Sequence, residues 1–208
     1  MGKEPEAKQT RPQEGIVSED GAFGAGRLVV NQAVGRVDIA VTAAPVLNWP
    51  TIGKMEDAYQ SLFQLLQPHL SYFRSSFRVG VGGAATVRTN SRKESYEILQ
   101  ELLPDFNIRP EARDLFVQLN YPRTLRSVPE MQVNRLGKWF SGVIGVAPMH
   151  LIATGGSSVS LGEMVRCETD VNTAPDKKLA LVDDKALDSL LAELKDLSIE
   201  LLYEGAQP

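Results

Sequence analysis

The sequence holds one cysteine, two histidines and no long apolar run, and each scarcity removes a class of protein. With Cys167 alone, no disulfide can close within the chain and a cysteine-built zinc site is excluded. A reducing, cytoplasmic compartment fits that usage. His69 falls beside a proline and His150 in a Pro-Met-His turn, with no G-x-S-x-G elbow anywhere, so no serine triad is indicated. Scattered acids and two isolated histidines give no metal-ligand cluster, and no cofactor is expected. No apolar segment reaches the roughly 20 residues of a membrane span. The first residues, MGKEPEAKQTRPQEG, lack the apolar region of a secretory signal. Gly2 precedes Lys-Glu-Pro-Glu, without the Ser or Thr that myristoylation needs at position 6. Positive charge is not in excess either: the net charge of −4 draws the chain as a whole to neither nucleic acid nor an anionic membrane.

What is present is an ordinary globular composition, 43% hydrophobic over 208 residues, enough for one sizeable core. Charge is unevenly spread. Residues 74–138 carry eleven Lys/Arg against seven Asp/Glu, a net of +4, whereas residues 139–208 carry five against eleven, a net of −6. The simplest account is that these charges cover opposite ends of one surface.

Residues 1–20 are polar and cannot bury enough apolar surface to offset ordering entropy, so they read as a disordered leader. Residues 21–208 read as one domain. Arg27–Gln32 and Val37–Thr42 are β-branched runs around Gly35, which predicts a hairpin. Met55 to Phe73 repeats its apolar residues at helical spacing, with a kink or break expected near Leu65–Pro68 because Pro68 lacks a donor. Gly80-x-Gly82-x-x-Ala85 imitates a dinucleotide fingerprint, but Thr86-Val87-Arg88 continues as strand and no helix opens there. Ser91 and Glu94 form a capping box for a short helix that Pro104 stops. Leu115–Asn120 reads as the central strand, ended by Tyr121-Pro122. After a polar loop, Val133–Val146 is strand-like. A turn at residues 155–158 and a strand from Met164 to Asn172 follow. Leu187, Leu190, Leu191, Leu194, Leu197, Leu201 and Leu202 stripe a final helix, with Asp188, Glu193, Lys195, Asp196 and Glu200 outside the stripe. The fold class expected is α+β: a mostly antiparallel sheet of about six or seven strands, with three helices packed largely on one face.

Three motifs converge on a resemblance. Asn120-Tyr121-Pro122-Arg123, Asn134-Arg135-Leu136-Gly137-Lys138-Trp139 and Asp170-Val171-Asn172-Thr173 resemble the N-x-P-R, N-R-L-x-K-W and D-x-N-T patterns of a group of uncharacterised bacterial proteins. Gly35-Arg36-Val37-Asp38 is similar to their early hairpin. The chain is also similar, more distantly, to sporadically distributed bacterial proteins of mobile or defence-linked loci. The resemblance covers most of residues 27–205 and implies an architecture without an assigned activity.

The candidate binding residues are Arg123, Arg126, Arg135 and Lys138, which flank one loop, with Tyr121 and Trp139 as stacking surfaces. Guanidinium groups grip carboxylate or phosphate bidentately, and aromatic rings stack on bases. The same arginines can instead be structural, pairing with Asp38, Asp114 or Asp170 at a polar core edge. Glu168 and Asp170 share one strand face and read as solvated like charges, with Cys167 on the other face as a small buried apolar residue. The leading expectation is a non-enzymatic binding or assembly subunit that recognises a protein partner. The alternative is nucleic-acid or phospholigand binding through the arginine cluster, and an enzyme of unknown class comes third. Oligomeric state is not indicated.

Overall fold

A computed structural model of the chain describes residues 4–44, 49–73, 76, 78–146, 159–174 and 184–206. The chain is α+β, but it forms two antiparallel sheets, of four and five strands, rather than one of six or seven. It also divides into two compact units, Met1–Leu65 and Leu66–Pro208, where composition points to one domain from residue 21.

In the first unit β1 (Ala7–Arg11), β2 (Ile16–Phe23), β3 (Gly26–Ala33) and β4 (Arg36–Ala43) pair in sequence order as a meander. The β3–β4 hairpin is the one expected, turning at Gly35 with φ 72°, a conformation open to glycine without strain. β1 and β2 correct the expected leader. Their order comes from cross-strand charge as much as from apolar burial. Arg27 Nε donates to Asp20 Oδ2 at 2.7 Å and Nη1 to Glu6 Oε2 at 3.2 Å, while Lys8 pairs with Glu19 at 2.6 Å. The carboxylates, Asp20 foremost, raise the Arg27 guanidinium above its ordinary value. A search for apolar stretches passes over strands joined in this way. Helix α1 (Met55–Leu66) follows, and at Gln67–Phe73 the backbone tightens into a 3-10 helix, the break expected around Pro68.

The second unit is built on β5 (Gly80–Thr89), β6 (Phe116–Asn120), β7 (Arg123–Thr124), β8 (Gln132–Val146) and β9 (Val159–Thr173), in the order β5-β9-β8-β6 with β7 also on β8. β6 is therefore an edge strand, not the central one. β8 and β9, of 15 residues each, form the centre. The expected turn at residues 155–158 lies outside the described residues. β5 runs unbroken through Gly80 and Gly82, so no helix opens where a dinucleotide would need one. A Cβ at Gly82 would overlap the Thr169 carbonyl of β9, so the glycine permits close approach between strands.

Helices α2 (Arg92–Leu102) and α3 (Asp184–Glu204) pack against β5, β8 and β9. Ser91 caps α2, its hydroxyl accepting from the Glu94 amide at 3.2 Å; the Glu94 carboxylate reaches past Ser91 to the Asn90 amide, at 2.8 Å. The odd-numbered residues of β8 and β9 face the helices: Val133, Trp139, Val165, Cys167 and Val171 are buried with Leu190, Leu194 and Leu201 of α3. The Cys167 Sγ–Leu201 O approach of 4.0 Å and the Thr169–Ser198 hydroxyl bond of 2.5 Å tie this face directly to α3. α3 ends at Gly205, φ 73°, where a Cβ would overlap the Leu102 carbonyl, and the Ala206 amide donates to that same carbonyl at 3.0 Å.

Candidate functional site

The three motifs meet at one end of the second sheet, and strand alternation sends their residues to opposite faces. Arg135 lies on the helix side of β8. It is 2% exposed, and its Nη2 donates to Glu200 Oε1 of α3 at 2.7 Å. Arg123, in the two-residue β7, places Nη1 at 3.1 Å from both oxygens of the same carboxylate. Burial lowers the Arg135 guanidinium from its ordinary value, and the charge of Arg123 pushes the same way; Glu200 and, more weakly, Glu204 oppose them. Two arginines therefore share one glutamate, and a half-exposed strand end is joined to the last helix.

The structural acid is thus Glu200, not Asp38, Asp114 or Asp170. Asp38 pairs with Arg36, and Asp170 belongs to the other face of the sheet. Arg126 acts through its backbone: its amide and that of Ser127 donate to Glu193 at 2.7 and 2.8 Å, while its side chain is exposed. Burial alone raises the Glu193 carboxyl, but the Arg126 and Ser127 donors outweigh it and hold the group below its ordinary value. Trp139 is fully buried, and its ring lies so close over Gly137 that any Cβ there would overlap it. It offers no stacking surface to solvent. Arg135 Nε and Trp139 Nε1 are buried without a hydrogen-bond partner among the described residues. Tyr121 is half-buried beside the cluster, its amide donating to the Arg135 carbonyl at 3.1 Å. Lys138 points the other way and lies 3.8 Å from Glu168.

On the face away from the helices the same motifs build a polar row across three strands. Asn120 Nδ2 donates to Asn134 Oδ1 at 3.1 Å, Asn134 Nδ2 to Asn172 Oδ1 at 3.2 Å, and Asn172 Nδ2 to Asp170 Oδ1 at 2.8 Å. Thr173 closes the start of β5: its hydroxyl accepts from the Val79 amide at 3.0 Å and its own amide donates to the Val79 carbonyl at 2.9 Å. Beside the row lies a shallow depression of about 160 Å³ lined by Ala84, Leu136, Lys138, Glu168 and Asp170. Glu168 is not an unopposed partner of Asp170, because Arg166 Nε donates to it at 2.8 Å. Farther along this face Phe116 and Phe140 sit with ring centroids 6.1 Å apart, Phe116 being 57% exposed.

Glu200 and Glu193 were legible only as positions outside a leucine stripe. The overlooked signal is their seven-residue spacing, which with Glu204 sets a line of acids along one flank of α3, opposite the basic loop. The +4 and −6 segments of the chain meet there. Among the described residues no three His, Cys, Asp or Glu side chains are grouped as a metal site requires, and no helix is long and apolar enough to cross a membrane. No family model, curated protein or solved structure matches the chain.

Proposed function

We propose that this chain is a non-enzymatic binding or assembly subunit that recognises a protein partner. One observation carries the reading: the guanidinium of Arg135 is buried against Glu200 and Trp139 is buried in the core, so two of the six residues suited to phosphate or base recognition do not reach solvent. The face away from the helices supports it further, since Phe116 stands exposed there against Phe140 and aromatic residues are enriched at protein-binding surfaces. The distant resemblance to proteins of mobile or defence-linked bacterial loci is compatible with an assembly role.

The test is affinity capture with the folded chain, followed by gel filtration of the reconstituted pair, using wild type and Phe116→Asp. The reading expects a protein that co-elutes in fixed ratio and is retained less by Phe116→Asp. Retention of nucleic acid without protein, released by salt, supports the phospholigand alternative instead.

A further inference from the structure

We infer that the protein partner docks on the face of the second sheet away from the helices through two matched groups: an apolar side chain against Phe116 and Phe140, and a lysine whose ammonium meets Asp170. The inference rests on the reading of the chain as a binding subunit and states the chemistry of its partner. Even-numbered residues of β6, β8 and β9 build this face. Phe116, Phe140 and Arg166 form one row across it, Lys138 and Glu168 belong to the next, and Leu136 and Asp170 to the one after.

Charge selects the lysine. The two cations in these rows both turn to one acid: Arg166 Nε lies 2.8 Å from Glu168 Oε1, and Lys138 Nζ 3.8 Å from Glu168 Oε2. Asp170 is exposed and has no cation among the described residues. Its Oδ1 accepts from Asn172 Nδ2 at 2.8 Å, and its Oδ2 has no such donor there. Asn172 is 4% exposed and bonded in turn to Asn134, so the carboxylate is held in place before any partner arrives, and little freedom is lost on binding. The depression of about 160 Å³ opens beside it, and Leu136 and Ala84 give it apolar walls for the methylene stem of a lysine. One oxygen of Asp170 is already engaged, which suits a compact ammonium better than a guanidinium that grips both.

The apolar contact and its spacing come from the same strands. Phe116 is 57% exposed, with the Phe140 ring 6.1 Å away, centroid to centroid. Phe140 and Leu136 stand four residues apart on β8, about 13 Å at the rise of a strand. An extended segment with an apolar residue and a lysine four positions apart therefore reaches both contacts. Lys138 borders the same depression, so its charge opposes the incoming ammonium and is the chain's own competitor for Asp170.

Two synthetic peptides of one composition test this, acetyl-FTTTK-amide and acetyl-FKTTT-amide, each titrated into the isotope-labelled full chain and followed by backbone amide shifts. The first should move the amides of Phe116, Leu136 and Asp170 and bind about threefold or more tightly than the second, the worth of an exposed ion pair. Asp170→Asn, which keeps an oxygen for the Asn172 amide, should erase that preference. Lys138→Met should instead raise the affinity for the first peptide, an opposite effect that a purely structural pair of residues would not give. Equal binding of the two peptides, a preference that survives Asp170→Asn, or no shifts at about 1 mM peptide overturns the inference. A protein captured by the wild-type chain, weakened by Phe116→Asp and untouched by Asp170→Asn also overturns it and leaves the binding-subunit reading standing, whereas a chain that captures no protein removes both.

Discussion

Glu200→Ala is the most informative single substitution. It strands Arg135, which is 2% exposed and has Glu200 as its ion-pair partner, at 2.7 Å. Deleting one member of a buried pair costs about 3–5 kcal/mol, because the remaining charge keeps its desolvation penalty. Glu200 itself is 30% exposed, which moderates the loss, so the lower end, about 3 kcal/mol, is expected. Arg123 is 40% exposed and also leans on Glu200, but water can replace that partner, so Arg123→Ala should cost only about 0.5–1 kcal/mol. Arg135→Ala should resemble Glu200→Ala, and the double variant should lose at least about 1 kcal/mol less than the two losses added. Urea unfolding followed by circular dichroism reads the four variants against wild type, and such losses are a large part of an ordinary domain's stability. A Glu200→Ala loss below about 1 kcal/mol, or additive losses at residues 135 and 200, would refute the reasoning.

Other outcomes follow from the same structure. Leu194→Ala, at a fully buried position on α3, should cost about 2–5 kcal/mol in the same assay. Glu193 titrates below its ordinary value when folded, so its contribution is complete above the ordinary carboxylate range near 4.3 and fades as pH falls through and below it. The stability advantage of wild type over Glu193→Gln should accordingly shrink on acidification, as melts across that range would record. Burial, with a smaller push from Glu168, raises the Cys167 thiol to about 12, so a thiol reagent at pH 8 should label it only once the chain unfolds. Amides of β1 that pair with β2 should exchange measurably more slowly than those of an unfolded peptide, and full-rate exchange there would restore the disordered leader.

Much of the architecture is legible in the residues, for reasons that also mark where legibility stops. Periodicity exposes α3, which buries its leucine stripe, while the β3–β4 hairpin shows in the β-branched runs on either side of Gly35 and β5 in the strand-like residues that continue past Gly82. β1 and β2 escape because their order comes from Lys8–Glu19 and Arg27 with Asp20 and Glu6, contacts between residues as much as 21 positions apart. The edge position of β6 escapes as well, since Leu119 and Val117 look alike in an edge or a central strand until pairing is known. The arginines could be singled out, but not their direction. Strand alternation puts Arg135 and Trp139 toward α3 and Lys138 away from it, and only the arrival of α3 supplies Glu200.

The central claim is that the arginine cluster is an internal clasp and that recognition is of protein. Fluorescence anisotropy of labelled single- and double-stranded oligonucleotides at about 150 mM salt addresses it most directly. No binding is predicted for the wild-type chain. Micromolar, salt-sensitive binding that disappears in a stably folded Arg123→Ala, Arg126→Ala variant would contradict the claim and make the loop a phosphate-binding site.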